Sequence, residues 1–212
     1  MCDSPIELRE SVKDLGVIID KHLSWTQHVC NVSRKVFSAL NSLRRFWNVF
    51  SCVLKERLVS SLILPHFDYC DVVYKDLTVT LKNKLQHAQN ACVRYIFNLR
   101  YYDHVTPAYE QLNWLRLNQR RDLHSLCILQ QILSTSTPAY LHSQLHRLSY
   151  EYTLGTRSKN DTLLLIPIHR TVRYTNSFVV ATARLWNNLP RSVRGANPSS
   201  IKQRCQQYIL TK

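Results

Sequence analysis

Apolar residues recur at helical spacing along most of this chain. Val29, Val32, Val36, Leu40 and Leu43 follow one another at intervals of three or four, while Arg34, Lys35, Arg44 and Arg45 fall on other faces. That period predicts an amphipathic helix laid on a core. Ser24-Trp-Thr-Gln27, just ahead of it, fits a capping box in which Ser24 accepts from first-turn amides and Gln27 reaches back. Leu54, Leu58 and Leu62 predict a second helix from about Ser51 to Pro65. Leu81, Leu85, Ala88, Cys92, Tyr95 and Leu99 predict a third, from about Thr78 to Leu99. A longer one is expected over roughly 119–134, on Leu123, Leu126 or Cys127, and Leu129 to Leu133, with Arg116, Arg120 and Arg121 around its start. Two further helices follow: one from Asn176 through Phe178, Ala181, Leu185 and Trp186 to Pro190, and one after Ser199 on Ile201, Cys205 and Ile209.

The pattern breaks in two places. Leu15-Gly-Val-Ile-Ile-Asp20 is a β-branched run flanked by polar residues and predicts a strand. No partner strand is legible near it, and a lone strand leaves its ladder groups unpaired. It is therefore expected to complete a sheet that the chain lacks. From about Leu148 to Tyr174 the periodicity loosens, with Leu163-Leu-Leu-Ile166 as a candidate strand in a partly extended segment or boundary. Thr106-Pro-Ala-Tyr109 and Thr137-Pro-Ala-Tyr140 repeat one helix-start signal, Thr at the N-cap and Pro at the first helical position. The expected fold is mostly α: a helical bundle with one short N-terminal strand. The expected divisions are 1–23 (strand), 24–147 (helical domain) and 148–212 (basic region with two short helices).

Composition narrows this picture. The chain has 212 residues, 45% of them hydrophobic, enough for a buried core. Only Gly16, Gly155 and Gly195 are glycine, which argues against barrels and phosphate-cradling loops, both of which lean on glycine for special backbone angles. Net charge is +14, and the stretch from Gln144 to Lys212 holds eleven Lys/Arg against Glu151 and Asp161. Such an excess favours a polyanionic partner through phosphate neutralisation and counterion release, nucleic acid first among them. The seven cysteines form no C-x-x-C pair and read as reduced thiols on helix faces in an intracellular protein, nuclear or cytoplasmic. No apolar stretch approaches the roughly 18–20 residues of a membrane span.

Candidate chemistry begins at Leu62-Ile-Leu-Pro-His-Phe-Asp-Tyr-Cys-Asp-Val-Val-Tyr74, where Asp68 and Asp71 sit in an apolar, aromatic run. Buried carboxylates need a partner, and at i, i+3 the two would share a helix face. A two-metal site wants a third converging acid, and none is apparent. The pair is read as the wet edge of a helix bent at Pro65, with no metal bound. Of nine histidines only His142 and His146 give H-x-x-x-H, without the glutamate of a zinc protease. No nucleophile motif or small-molecule site appears. Basic residues interleaved with aromatics say more. Arg94, Tyr95, Arg100, Tyr101 and Tyr102, and again Arg170-Thr-Val-Arg173-Tyr174, combine phosphate-pairing guanidinium with stacking rings. The competing view makes Tyr95 and Tyr101 core, with the arginines merely snorkelling.

Several motifs in order resemble the carboxy-terminal part of reverse transcriptases from non-LTR (LINE-type) retrotransposons of the jockey-like kind. They are Asp14-Leu-Gly-Val-Ile-Ile-Asp-Lys-His-Leu-Ser-Trp25 with His28, Leu64-Pro-His-Phe-Asp-Tyr-Cys-Asp-Val-Val-Tyr74, Leu85-Gln-His-Ala-Gln-Asn90, Tyr102-Asp-His-Val-Thr-Pro107, Leu112-Asn-Trp-Leu115, Arg170-Thr171 and Arg184-Leu-Trp-Asn-Asn-Leu-Pro190. Asp14 stands where the family has an aromatic, and Tyr74 where tryptophan is common. The resemblance implies the thumb and the region beyond it, and makes the strand the edge of a palm that lies upstream. The family's activity is RNA-directed DNA polymerisation with Mg2+, but no [FY]-x-D-D motif occurs here. The catalytic residues therefore do not carry over, and no cofactor is expected in this chain. What is implied is a grip on RNA or an RNA–DNA hybrid beside the absent palm and fingers. The residues expected to make it are Arg34, Lys35, Arg44, Arg45, Arg116, Arg120, Arg121, Arg170 and Arg173. A non-functional degenerate transposon product and a helical protein-interaction module are the competing readings.

Overall fold

The computed structural model describes residues 9–148, 163–195 and 197–211. It is mostly helical, with one two-stranded antiparallel sheet near the N-terminus. The chain divides into two compact units, Met1–Leu112 and Asn113–Lys212.

In the first unit the expected strand does have a partner. β1 (Ser11–Asp14) pairs antiparallel with β2 (Val17–Asp20), Asp14 opposite Val17, through the two-residue turn Leu15-Gly16. Both turn residues take positive φ, 43° and 85°, as a type I′ hairpin requires. Leucine in that conformation costs about 1 kcal/mol, so Leu-Gly is a poor hairpin signal. Tyr69 holds the turn by donating to the Leu15 carbonyl at 2.6 Å. β1 has a single apolar residue, Val12, and is exposed except at the half-buried Ser11, which is why alternation did not reveal it.

Helix α1 (Thr26–Arg44) buries Val29, Val32, Val36 and Leu40, each worth roughly 1.5–3 kcal/mol. The expected capping box is not formed. Trp25 is the N-cap at φ 63° with no side-chain cap, and Asp20 organises the entry instead. Its carboxylate accepts from the amides of His22, Ser24 and Trp25 and from the Ser24 hydroxyl. The Ser24 amide bond leads in holding the Asp20 carboxyl below its ordinary value. The Ser24 hydroxyl still accepts from the Thr26 amide at 3.4 Å, but the Ser24 amide that Gln27 was expected to reach goes to the Asp20 carboxylate.

Helix α2 (Cys52–Leu62) starts where expected, with Ser51 as N-cap accepting from the Leu54 amide. Its buried residues are Lys55 and Val59, while Leu54 and Leu62 are exposed, so the expected leucine stripe is not the packed one. Helix α3 (Leu64–Asp68) starts with Pro65 in its first turn and ends at Asp68. Beyond it Tyr69 is extended and Cys70 has φ 53°. Asp68 and Asp71 thus share no helix face, and Asp71 is buried rather than at a wet edge.

Helix α4 (Val79–Phe97) has Thr78 as N-cap and buries Leu81, Leu85, Ala88, Cys92 and Tyr95, as the sequence predicts. It packs on α1 and α2, and the short α5 (Thr106–Leu112) packs on it. Thr106 is already helical, one position later in the cap than expected.

In the second unit α6 (Leu117–Thr135) buries Leu123, Leu126, Leu129 and Ile132. Gln119 accepts from the Arg116 amide at its start. Next comes α7 (Ala139–His142), whose N-cap is Pro138 after a cis Thr137–Pro138 bond, so Thr137 does not cap it as expected. Then follow α8 (Val172–Thr175), α9 (Phe178–Asn187), α10 (Arg191–Arg194) and α11 (Pro198–Leu210). α9 and α11 both pack on α6, sealing a core with Val179, Ala183, Trp186, Ile201 and Cys205. The candidate strand at 163–166 is reduced to an isolated bridge between Arg147 and Leu164. Leu164 is buried and clamped by Asn187, which accepts from its amide at 2.9 Å and donates to its carbonyl at 2.8 Å. Most of the loosened stretch lies outside the described residues. Among those residues no helix is long and apolar enough to cross a membrane. Cys30, Cys52, Cys70, Cys92, Cys127 and Cys205 are free thiols.

Candidate nucleic-acid interface

The burial pattern of α1 leaves its cations facing outward, Arg34 and Lys35 midway and Arg44 and Arg45 at the C-terminal end, all exposed. Cations are stabilised in a last turn, where unpaired carbonyls carry partial negative charge. Arg34 and Lys35 line an open groove of about 500 Å³ with Ser38, Ser42 and His66 of α3. His66 joins this basic surface only through tertiary packing of α1 on α3.

Arg44 lines a second cleft, of about 430 Å³, with Trp47, Arg94, Tyr95, Asn98, Leu99 and Tyr101. Its floor is buried. Tyr95 is 6% exposed and donates from its hydroxyl to the Leu43 carbonyl at 3.1 Å, joining the end of α4 to the end of α1. Desolvation pushes the Tyr95 phenol above its ordinary value, which keeps it a donor. Lys55, 1% exposed, donates to Asn98 Oδ1 at 2.7 Å and lies 5.3 Å over the Tyr95 ring. Asn98 ends α4 in the left-handed region, φ 55°, and the amides of Asn98 and Leu99 both donate to the Arg94 carbonyl. A buried lysine against a helix C-terminus has three sources of compensation at once: hydrogen bond, ring and dipole.

The rim is exposed and aromatic. Arg100 and Asp103 close a tight turn, the Asp103 carboxylate accepting from the Arg100 amide at 2.6 Å and the Arg100 carbonyl accepting in return at 3.2 Å. Tyr101 and Tyr102 stand at its tip, edge to face at 5.1 Å. Arg94 lies 5.9 Å over Tyr101 and reaches the Asp103 carbonyl at 3.5 Å. The choice left open by the sequence is thus divided: Tyr95 is core, and Tyr101, at 79% exposure, is not.

The nine expected contact residues fall into separate groups. Arg34 and Lys35 share one groove, and Arg44 opens on the other with Arg45 beside it in sequence. In the second unit Arg116 is exposed and Arg120 half-buried, but Arg121 is buried on the stripe it shares with Leu117 and Ser125. Arg121 is only 3% exposed and so stands apart from the surface cations of this set. Arg170 and Arg173 are exposed around α8, whose N-cap Thr171 accepts from the Tyr174 amide. Trp47, Lys55, His66 and Asn98 were missed by sequence reasoning. The one available signal was Phe46-Trp47 directly after Arg44-Arg45.

A third feature lies between the hairpin and α1. His28 is 3% exposed, with Nδ1 accepting from the Ile18 amide at 3.3 Å and its ring 4.7 Å from Tyr74. Burial first, then the charge of Lys35, holds its pKa below the ordinary value. His28 is therefore a neutral structural joint between β2 and α1, not a phosphate ligand. No family model, curated protein or solved structure matches this chain.

Proposed function

We propose that this chain grips nucleic acid, RNA or an RNA–DNA hybrid, by its phosphates and without reading sequence. In this reading it is a thumb-side relative of the non-LTR reverse transcriptases, with no polymerase chemistry of its own. The observation that carries the reading is the outward row of cations on α1: Arg34 and Lys35 on one groove, Arg44 on a cleft shared with Arg94. Guanidinium and ammonium groups carried on one helix can pair with backbone phosphates, contacts that position a nucleic acid without reading its bases. The reading calls on no metal ion and no small-molecule substrate.

Fluorescence anisotropy of the full chain with a labelled RNA–DNA hybrid tests it. The logarithm of the binding constant should fall linearly with the logarithm of salt, with a slope of about 0.9 per phosphate neutralised. A flat salt response, or no binding to hybrid and single strand alike, rejects the proposal in favour of a protein-interaction module or an inert product.

A further inference from the structure

We propose that the cleft between Arg44 and Tyr101 is a base-stacking subsite for an unpaired nucleotide, so that this chain prefers single-stranded nucleic acid to duplex. The inference rests on the nucleic-acid reading above and extends it, because a phosphate grip alone is blind to base pairing.

Three observations meet in the cleft. Trp47 and Tyr101 are 51% and 79% exposed, two large rings left in water within one concave site. Arg44 and Arg94 open on the same space, Arg94 already stacked toward Tyr101. The frame behind them is fixed by the Tyr95–Leu43 and Lys55–Asn98 hydrogen bonds and by the Arg100–Asp103 turn. The volume, about 430 Å³, falls within the roughly 300–1,000 Å³ of small-ligand clefts. An unpaired nucleotide offers a π-face for the rings and a phosphate for the guanidinium groups. A duplex keeps its π-faces inside its own stack and presents only backbone and groove edges. An apolar peptide would cover the rings but strip water from two arginines without supplying an anion. Asp103 lies beside the cleft, with one carboxylate oxygen taken up by the Arg100 amide.

The test compares full-length protein with its Trp47→Ala, Tyr101→Ala, Trp47→Phe and Tyr101→Phe variants. Each is titrated with a labelled single-stranded oligonucleotide of about 10 nucleotides and with an RNA–DNA hybrid of the same length. Both positions are solvent-facing, and circular dichroism checks that the variants fold. The subsite predicts tighter binding of the single strand. Each alanine variant should lose roughly 5- to 150-fold on that probe and under about twofold on the hybrid, while the phenylalanine variants retain most of the affinity. Salt-dependent binding of both probes with no preference and no effect of the alanine variants overturns the subsite and leaves the phosphate grip standing. Absence of binding to either probe overturns both.

Discussion

Replacing Arg34 and Lys35 together by alanine removes two exposed cations from α1 and leaves its buried stripe of Val29, Val32, Val36 and Leu40 untouched. Alanine is at least as good a helix former, so helicity and melting temperature should hold. If each cation neutralises one hybrid phosphate, the slope of log affinity against log salt falls by about 1.8 units. Across a fourfold rise in salt, the wild type should then lose about 12-fold more affinity than the variant. Anisotropy titrations of a labelled hybrid at several salt concentrations measure both slopes. A folded variant whose slope equals that of the wild type would refute the assignment of this face, because electrostatic contacts cannot be deleted without releasing fewer counterions.

Three further outcomes follow from the packing. His28 has a lowered pKa in the folded state, so the unfolded chain takes up its proton first as pH falls. The stability that neutral His28 contributes is complete above 6.5 and is lost progressively below it, down through the folded value. His28→Asn keeps an acceptor for the Ile18 amide, and its melting temperature should depend less on pH on the acid side of 6.5; parallel pH curves for the two proteins would remove His28 from the account. Burial pushes the Cys92 thiol up to about 12 and the Cys205 thiol to about 11, whereas Cys52 is exposed. Native-state alkylation mapped by mass spectrometry should therefore label Cys52 before Cys205, and Cys92 only on unfolding; early labelling of Cys92 would contradict the α1–α4 packing. Leu129, fully buried in the second unit's core, should cost about 2–5 kcal/mol when truncated to alanine, and a denaturant midpoint unchanged from wild type would count against that core.

How much was legible depends on how far apart the cooperating residues lie. α1, α4, α6, α9 and α11 were readable because a buried helix face repeats every three or four residues, and Val29 through Leu40 or Leu123 through Ile132 carry that repeat locally. α2 misled because its exposed leucines resemble a stripe, while its packed face carries Lys55, whose cost is offset by Asn98 and Tyr95 about forty positions away. The hairpin misled because Leu15 accepts a strained turn that Tyr69 holds from a distant segment. The expected capping box did not form because the Asp20 carboxylate, four residues upstream, took the Ser24 amide that Gln27 was expected to reach.

The sequence by itself determined the helical class, the basic excess and the outward placement of the α1 cations, since each follows from composition or from a period shorter than one element. Only the tertiary structure decided which of those cations share a surface. Arg34 and Lys35 acquire His66, Arg44 acquires Arg94 and Tyr101, and Arg121 is withdrawn into the interior. The physical reason is that a site is made of side chains from different elements, and their convergence is set by packing that no local pattern encodes.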